Sequence, residues 1–339
     1  MFKNQSFRRF ILIHIVGMGF AYPEGEISNQ FLEGLGTGTT AEWISEKIGI
    51  ETRRSSLPLD YIAETKNCDL RAAHDVCTDT PTSLGTAASL MACEKAGIDP
   101  DQIGMIIANC CTPAQTTPGE SQRIGKALGI KNVKAFDVFT ACPAFALHVD
   151  FINNHKEETL PDYILCISTA TLTQKVDYSD RTDGAIWGDG AAAYILSPRK
   201  EGKLAVHSAA YTTDPIRSDA VNVDTLGYFH QDGRAVRNFS VLQTVKMMRA
   251  LEKNNAIDWN QDIFIGHQAN YTMLQQITGN RKVPDNNHWH NVIHVGNQAG
   301  AGAPATLAEH WDDIIPGQRI VIAVVGAGLS WGSVLLKGQ

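Results

Sequence analysis

The chain has 339 residues, 43% hydrophobic and 19% charged, with a net charge of −7. That balance supplies a core and carries no disorder signature, and an acidic chain lacks the basic face that nucleic-acid binding needs. Its seven cysteines include no CxxC pair, which argues against a disulfide framework or a cysteine zinc site and fits a reducing cytoplasm.

Arg8 and Arg9 precede an apolar run at 10–16. These flanks suggest a short signal peptide, but His14 interrupts the run and Gly17-Met18-Gly19 follows at once, so a first core strand is expected. No stretch approaches the roughly 20 apolar residues of a membrane helix. Further short apolar runs fall at 103–108, 135–138, 163–168, 191–196, 263–266, 292–295, 319–325 and 333–336. Most are apolar on consecutive positions, so both faces are expected to be buried, as in central strands covered by helices on each side. The helical patterns between them predict an α/β chain of strand–helix–strand units.

The order of these runs repeats. In the first half, strands at 105–110, 135–139, 163–168 and 191–196 include one that runs into Cys142 and a helix. In the second, strands at 263–266, 292–295 and 319–325, with a last one opened by Ser330-Trp331-Gly332, include one that runs into Gly296-Asn297 and a helix. The halves span about 10–198 and 203–339, joined by Pro198-Arg199-Lys200-Glu201-Gly202. Cys142 and Asn297 then occupy equivalent strand-to-helix points, with His267 just past another strand end. Carboxyl ends of strands in open α/β sheets converge on one crevice, so these three residues can share a site.

Each residue has a plain alternative. Cys142 is one cysteine of seven, and buried cysteines often serve as small hydrophobes. At a helix start, however, backbone N–H groups and the helix dipole favour its thiolate, and Pro143 suits the first helical position. His267, in Gly266-His267-Gln268-Ala269-Asn270, suits a general base or an oxyanion donor, or else a cap or a core histidine. Asn297 sits in a Gly-rich turn where asparagine often serves only backbone conformation; beside His267 it would be a second amide donor. Gly188-Asp189-Gly190 reads as a turn between packed strands, and Gly326-Ala327-Gly328 as a close backbone approach to a thioester oxygen; neither matches a phosphate loop.

Taken in order, Trp43-Ile44, Lys47-Ile48-Gly49-Ile50, Ala96-Gly97-Ile98-Asp99, the Cys142 segment, Trp187-Gly188-Asp189-Gly190, His267-Gln268-Ala269-Asn270, Gly296-Asn297 and Ser330-Trp331-Gly332-Ser333 resemble the β-ketoacyl-ACP synthase III branch of the thiolase superfamily. The resemblance implies a thiolase fold: two pseudo-symmetric βαβαβαββ halves in a five-layer αβαβα sandwich. It also implies a Cys142–His267–Asn297 triad. Cys142 would take an acyl group from a thioester, with the backbone N–H groups of Cys142 and Ala327 as oxyanion hole. His267 and Asn297 would stabilise the enolate of a malonyl-type thioester, which attacks the acyl-cysteine. Trp43, Lys47, Arg53, Arg54 and Asn270 would contact coenzyme A or its pantetheine arm, unless they are ordinary surface residues. No metal and no permanently bound cofactor are implied. Acyl-CoA or acyl carrier protein would be substrate and partner, and the chain would form a homodimer.

Several features depart from the family pattern. Thr272 and Asn238 stand where basic residues for carrier docking are usual. Lys246, Arg249 and Lys253 form a basic stripe that would substitute for them or be a solvated face. Residues 57–77 form an insertion, and the turn after Asn297 is Gly-rich, so the pocket is expected to be remodelled. A specialised-metabolism ketosynthase is therefore expected, making polyketide, resorcinol or cyclohexanedione-like products. Alternatives are an acyltransferase acting on an amine or hydroxyl without decarboxylation, and a partner subunit of a heteromeric synthase. Glu120 is a candidate extra base, or a carboxylate at a helix start.

Overall fold

Nine strands pair into one continuous sheet in the computed structural model, which describes residues 12–181 and 183–339. They are β1 His14–Ala21, β2 Met105–Cys110, β3 Lys134–Asp137, β4 Ile164–Thr171, β5 Asp189–Ser197, β6 Leu204–Thr213, β7 Ile263–Gly266, β8 Arg319–Gly326 and β9 Ser330–Gly338. Their order is β7-β8-β9-β6-β1-β5-β4-β2-β3. In the first half β2 runs parallel to β3 and β4, while β5 runs antiparallel to β4 and β1. The second half repeats this: β7 is parallel to β8, and β9 is antiparallel to β8 and β6. Its counterpart of β3 is a single bridge between His288 and Phe264. The halves join where β1 meets β6, at the pairs His14–Ala205 and Ile15–Leu204.

Six longer helices complete the layers: α1 Pro81–Ala96, α2 Glu120–Ala127, α3 Ala144–Asn153, α4 Gly233–Asn255, α5 Tyr271–Arg281 and α6 Gly302–Glu309. α1 covers β1, β5 and β4, with α2 beside it on β2 and β3; α4 covers β8 and β9, with α5 beside it. Between the sheet halves lie α3, against β6 and β9, and α6, against β5 and β1. This is the αβαβα arrangement of the thiolase fold. Sequence explains the layering. Every residue of β4 and β5 is buried, as a strand covered on both faces requires. α6 buries every residue but Glu309, so it has no solvent face to offer. α3 buries Phe145, Val149 and Ile152, each worth roughly 1.5–3 kcal/mol. α1 starts at a capping box between Thr80 and Ser83, with Pro81 at its head, and stops at Gly97, whose φ is 65°.

Four sequence expectations need correction. The 292–295 run is a short helix, Val292–Val295, not a strand. The Gln268 side chain accepts hydrogen bonds from the N–H groups of Asn291 and Val292 and so caps the turn, and Gly296 with φ 75° ends it. The 135–138 run is β3, the sheet's edge, with Lys134 and Asp137 exposed. The first strand extends through Gly17 and Gly19 to Ala21, whereas Arg8, Arg9 and Phe10 lie outside the described residues. β6 was not anticipated: after Val206 its residues are exposed or half-buried, so it carries no continuous apolar run. No helix among the described residues is long and apolar enough to cross a membrane.

Candidate active site

The chain leaves β3, turns, and presents Cys142 just before α3. Cys142 is half-buried, whereas Pro143 through Ala146 behind it are buried. Thr140 fastens the turn: its N–H donates to Asn109 Oδ1 at 2.9 Å, and its hydroxyl pairs with the Tyr211 hydroxyl at 2.9 Å. The other side of the turn is backbone. A Cβ placed on Gly326 would lie 2.9 Å from Cys142 Cβ and 2.8 Å from Pro143 Cδ, so only glycine lets the end of β8 come this close. The next residue, Ala327, brings its N–H within hydrogen-bond reach of the Cys142 sulfur, as does the N–H of Cys142 itself.

The charge state differs from the sequence expectation. Burial pushes the Cys142 thiol up to about 12, and the two N–H groups offset only part of that. Cys77, Cys110 and Cys111 are pushed to about 12 as well. What singles out Cys142 is position: a helix head and two aimed backbone donors. All seven cysteines are free.

His267 follows β7, whose Gly266 pairs with Ala323 of β8, so it emerges at the same sheet end as Ala327. It is buried, and burial lowers its pKa to about 4, which leaves a neutral imidazole at ordinary pH. Its Nδ1 is buried without a hydrogen-bond partner. Asn297 is also buried. Its backbone bridges to Trp187: Asn297 N–H donates to Ile186 O at 2.9 Å and Gly188 N–H to Asn297 O at 3.1 Å. Gly188 is required there, because a Cβ would stand 2.0 Å from Val295 O. The Asn297 side-chain oxygen accepts the Ala299 N–H at 2.9 Å, which leaves its NH2 group as the donor for a ligand. Three residues on, a Cβ at Gly300 would touch Ala141 O at 2.9 Å and Ala144 Cβ at 3.1 Å. The Asn297 turn therefore abuts the Cys142 turn, and each precedes one of the two central helices.

The outer candidates divide. Trp43 and Lys47 lie on the short helix Ala41–Lys47, exposed and next to the start of α5. The Thr272 hydroxyl reaches Lys47 O at 2.9 Å and Asn270 Oδ1 at 3.1 Å, so Trp43, Lys47 and Asn270 share one rim. Asn270 also caps α5 through the Met273 N–H. Sequence reading missed Arg181, whose guanidinium carbon lies 5.7 Å over the Trp43 ring in a cation–π contact. Arg53 is not on this rim. It is fully buried, its guanidinium committed to Ala185 O, Glu51 O and the Asn29 side chain, and desolvation lowers its pKa to about 9. It is a structural residue, because a compact chain turn had to satisfy those carbonyls from within. Arg54 is half-buried and lies 3.9 Å from Glu26.

Glu120 heads α2 but is buried, accepting from the Thr82 hydroxyl at 2.7 Å and paired with Arg123 at 3.3 Å. Committed to both, it is no free base. The Asp137 carboxylate takes the α2 end N–H groups of Glu120 and Ser121 instead. Lys246, Arg249 and Lys253 are exposed along α4. The 57–77 insertion folds as helices Leu59–Thr65 and Leu70–Val76. With Cys111, Phe139 and Tyr228 the insertion lines a cavity of about 1010 Å³, and Cys111 packs in the same apolar cluster as Cys142.

Both the sequence and the fold have known relatives. Residues 136–215 match the family model for 3-oxoacyl-[acyl-carrier-protein (ACP)] synthase III, and residues 251–338 match the model for its C-terminal part. The chain is 27% identical over 326 residues to the β-ketoacyl-[acyl-carrier-protein] synthase III of Aquifex aeolicus, covering 95% of this chain and 98% of that one. The enzyme of the same name from Shigella dysenteriae is 28% identical over 333 residues, with coverage of 95% and 98%. The crystal structure of the Aquifex aeolicus synthase superposes with a TM-score of 0.85 at 25% identity, covering 96% and 99% of the two chains. The priming β-ketosynthase of the R1128 polyketide pathway shares the fold, with a TM-score of 0.80 at 23% identity and 99% coverage of each chain.

Proposed function

The chain belongs to the β-ketoacyl-ACP synthase III-like ketosynthases of the thiolase superfamily, and from that premise we propose that Cys142 carries an acyl group as a thioester and passes it to an enolate formed from a malonyl- or β-ketoacyl-type thioester. The observation that carries this reading is Cys142 at a helix head, with the Ala327 and Cys142 N–H groups within reach of its sulfur. The sulfur attacks the thioester carbonyl, and the thiol proton leaves with the departing coenzyme A or carrier thiol. The carbonyl oxygen gathers negative charge between the two N–H groups, each worth about 3 kcal/mol. Splitting the condensation at an acyl-enzyme makes two easier steps of one hard one.

In the second step the neutral His267 imidazole and the Asn297 NH2 donate to the carbonyl oxygen of the incoming thioester. When the carboxylate of a malonyl-type thioester leaves as carbon dioxide, the electron pair of the broken bond becomes an enolate held by those donors; a β-ketoacyl thioester would reach the same enolate by losing its α-proton to solvent base. The enolate carbon then attacks the acyl-Cys142 carbonyl, and Cys142 departs as a thiolate that takes a proton from solvent to return to the thiol. Trp43 and Arg181 offer the stacking surface for an adenine ring, with Lys47 and Asn270 along the approach. Relatives named β-ketoacyl-[acyl-carrier-protein] synthase III make a carrier protein a second donor candidate. A specialised-metabolism role draws support from the insertion at the wide cavity. The exposed edge of β3, with Phe139 71% exposed beside it, suits pairing with a second copy.

Incubation with a panel of acyl-CoAs, read by intact mass, tests the first step. A mass gain is expected, and Cys142→Ala should abolish it; no gain with any thioester refutes the reading. Malonyl thioester should then release carbon dioxide. Acyl transfer to an amine or hydroxyl without carbon dioxide would favour simple acyltransfer instead.

A further inference from the structure

We propose that Gln268 is a positioning residue that sets the register between the His267 and Asn297 donors. The inference rests on the reading of those two as joint donors to one enolate oxygen.

Gln268 follows His267 directly and is fully buried, with its carboxamide shared between two segments. Its Nε2 donates to Gly266 O at 2.9 Å, at the end of the strand that delivers His267. Its Oε1 accepts from Asn291 N–H at 3.1 Å and Val292 N–H at 3.3 Å. Those N–H groups open the Val292–Val295 helix, whose own cap residue, Asn291, makes no side-chain cap bond. The helix ends at Gly296 and hands the chain to Asn297. One carboxamide thus grips the backbone before one donor and the backbone leading to the other. Its stem touches a third segment, since a Cβ on Gly302 would lie 2.9 Å from Gln268 Cβ. A donor pair must meet one oxygen to within a few tenths of an ångström, and these two donors come from separate loops. No other side-chain hydrogen bond among the described residues joins the 266–268 strand end to the 291–292 helix start.

Gln268→Met keeps the stem and removes both ends of the carboxamide. Gln268→Glu keeps an oxygen for the two helix N–H groups but loses the donor to Gly266 O until its carboxyl is protonated. Two half-reactions are measured: acylation of Cys142 by intact mass, and carbon dioxide release from malonyl thioester. In Gln268→Met, acylation should stay within about twofold of wild type while decarboxylation falls at least tenfold in kcat with little change in KM. Gln268→Glu should recover part of the loss, and more as pH falls, because a protonated carboxyl can again donate to Gly266 O. A merely structural role would not give a rescue that depends on pH. Parallel loss of both half-reactions in both variants, or undiminished decarboxylation, would overturn the inference. If Gln268→Met fails to fold, the pH-dependent split in Gln268→Glu decides alone. A wild-type protein that never acylates would instead remove the acyl-cysteine reading, and the inference with it.

Discussion

Gly326→Ala perturbs the proposed nucleophile, Cys142, without touching its chemistry. The added methyl would lie 2.8 Å from Pro143 Cδ, 2.9 Å from Cys142 Cβ and 3.0 Å from Cys142 N. Ordinary contacts of this kind are at least 3.4 Å, so the Cys142 turn and the β8 end must separate by about half an ångström. None of the three atoms is the far end of a flexible side chain that could swing away. Misplacing reacting groups by about 1 Å can cost a hundredfold, so a half-ångström shift of the sulfur from the Ala327 N–H should cost about tenfold, or ~1.4 kcal/mol of barrier. Overpacking should also lower stability by about 1–3 kcal/mol. Single-turnover acylation by acyl-CoA, quenched and read by intact mass, measures the first effect, and thermal unfolding measures the second. Acylation within twofold of wild type would refute the claim that Gly326 sets the distance between sulfur and oxyanion donor.

Three further outcomes follow from the same coordinates. Asn297→Ala should cut carbon dioxide release by about 10²–10³ while leaving Cys142 acylation measurable by mass, since only one donor to the enolate is lost. Arg53→Leu should lower stability by about 3 kcal/mol, because buried carbonyls lose a charged donor, with KM for acyl-CoA unchanged; a raised KM at unchanged melting temperature would restore a binding role. Acid should destabilise the fold through buried neutral histidines: His148 and His267 both titrate near 4 in the folded chain, against an ordinary 6.5. The unfolded chain binds their protons first, so the stability they contribute is whole above about pH 6.5 and is lost as pH falls through 4, at about 3 kcal/mol each. Denaturant titrations across that window check it, and His148→Phe should flatten the slope.

The parts of this molecule that read clearly from sequence were those whose environment is uniform. β4, β5 and β8 are buried on both faces, so their apolar runs announced them. Cys142 and Asn297 drew notice because a repeated order put both at chain turns, and the structure sets those two turns side by side. Where two influences compete, one letter string supports both outcomes. Val292-Ile293-His294-Val295 has strand-like residues, but a glutamine from another segment caps it as a helix, and no local pattern records that partner. Arg53 looked like a surface cation beside Arg54; whether a guanidinium faces solvent or buried carbonyls depends on how the chain folds back on itself. The Cys142 thiol illustrates the same limit in electrostatics. The helix head could be read from sequence, while the desolvation that outweighs it comes from residues far along the chain.

The two central helices lie on a near-symmetric frame, with a reactive turn at the head of each. If the two turns had stayed identical, the crevice would hold either two thiols and no amide beside His267, or two amides and no thiol to carry an acyl group. On the proposed mechanism, divergence at these two turns is what makes the reaction possible: one repeat would supply the electrophile's anchor, the other the anion's host. Neither half, folded alone, would then own the proposed site, and the chemistry would be a property of broken symmetry at the seam.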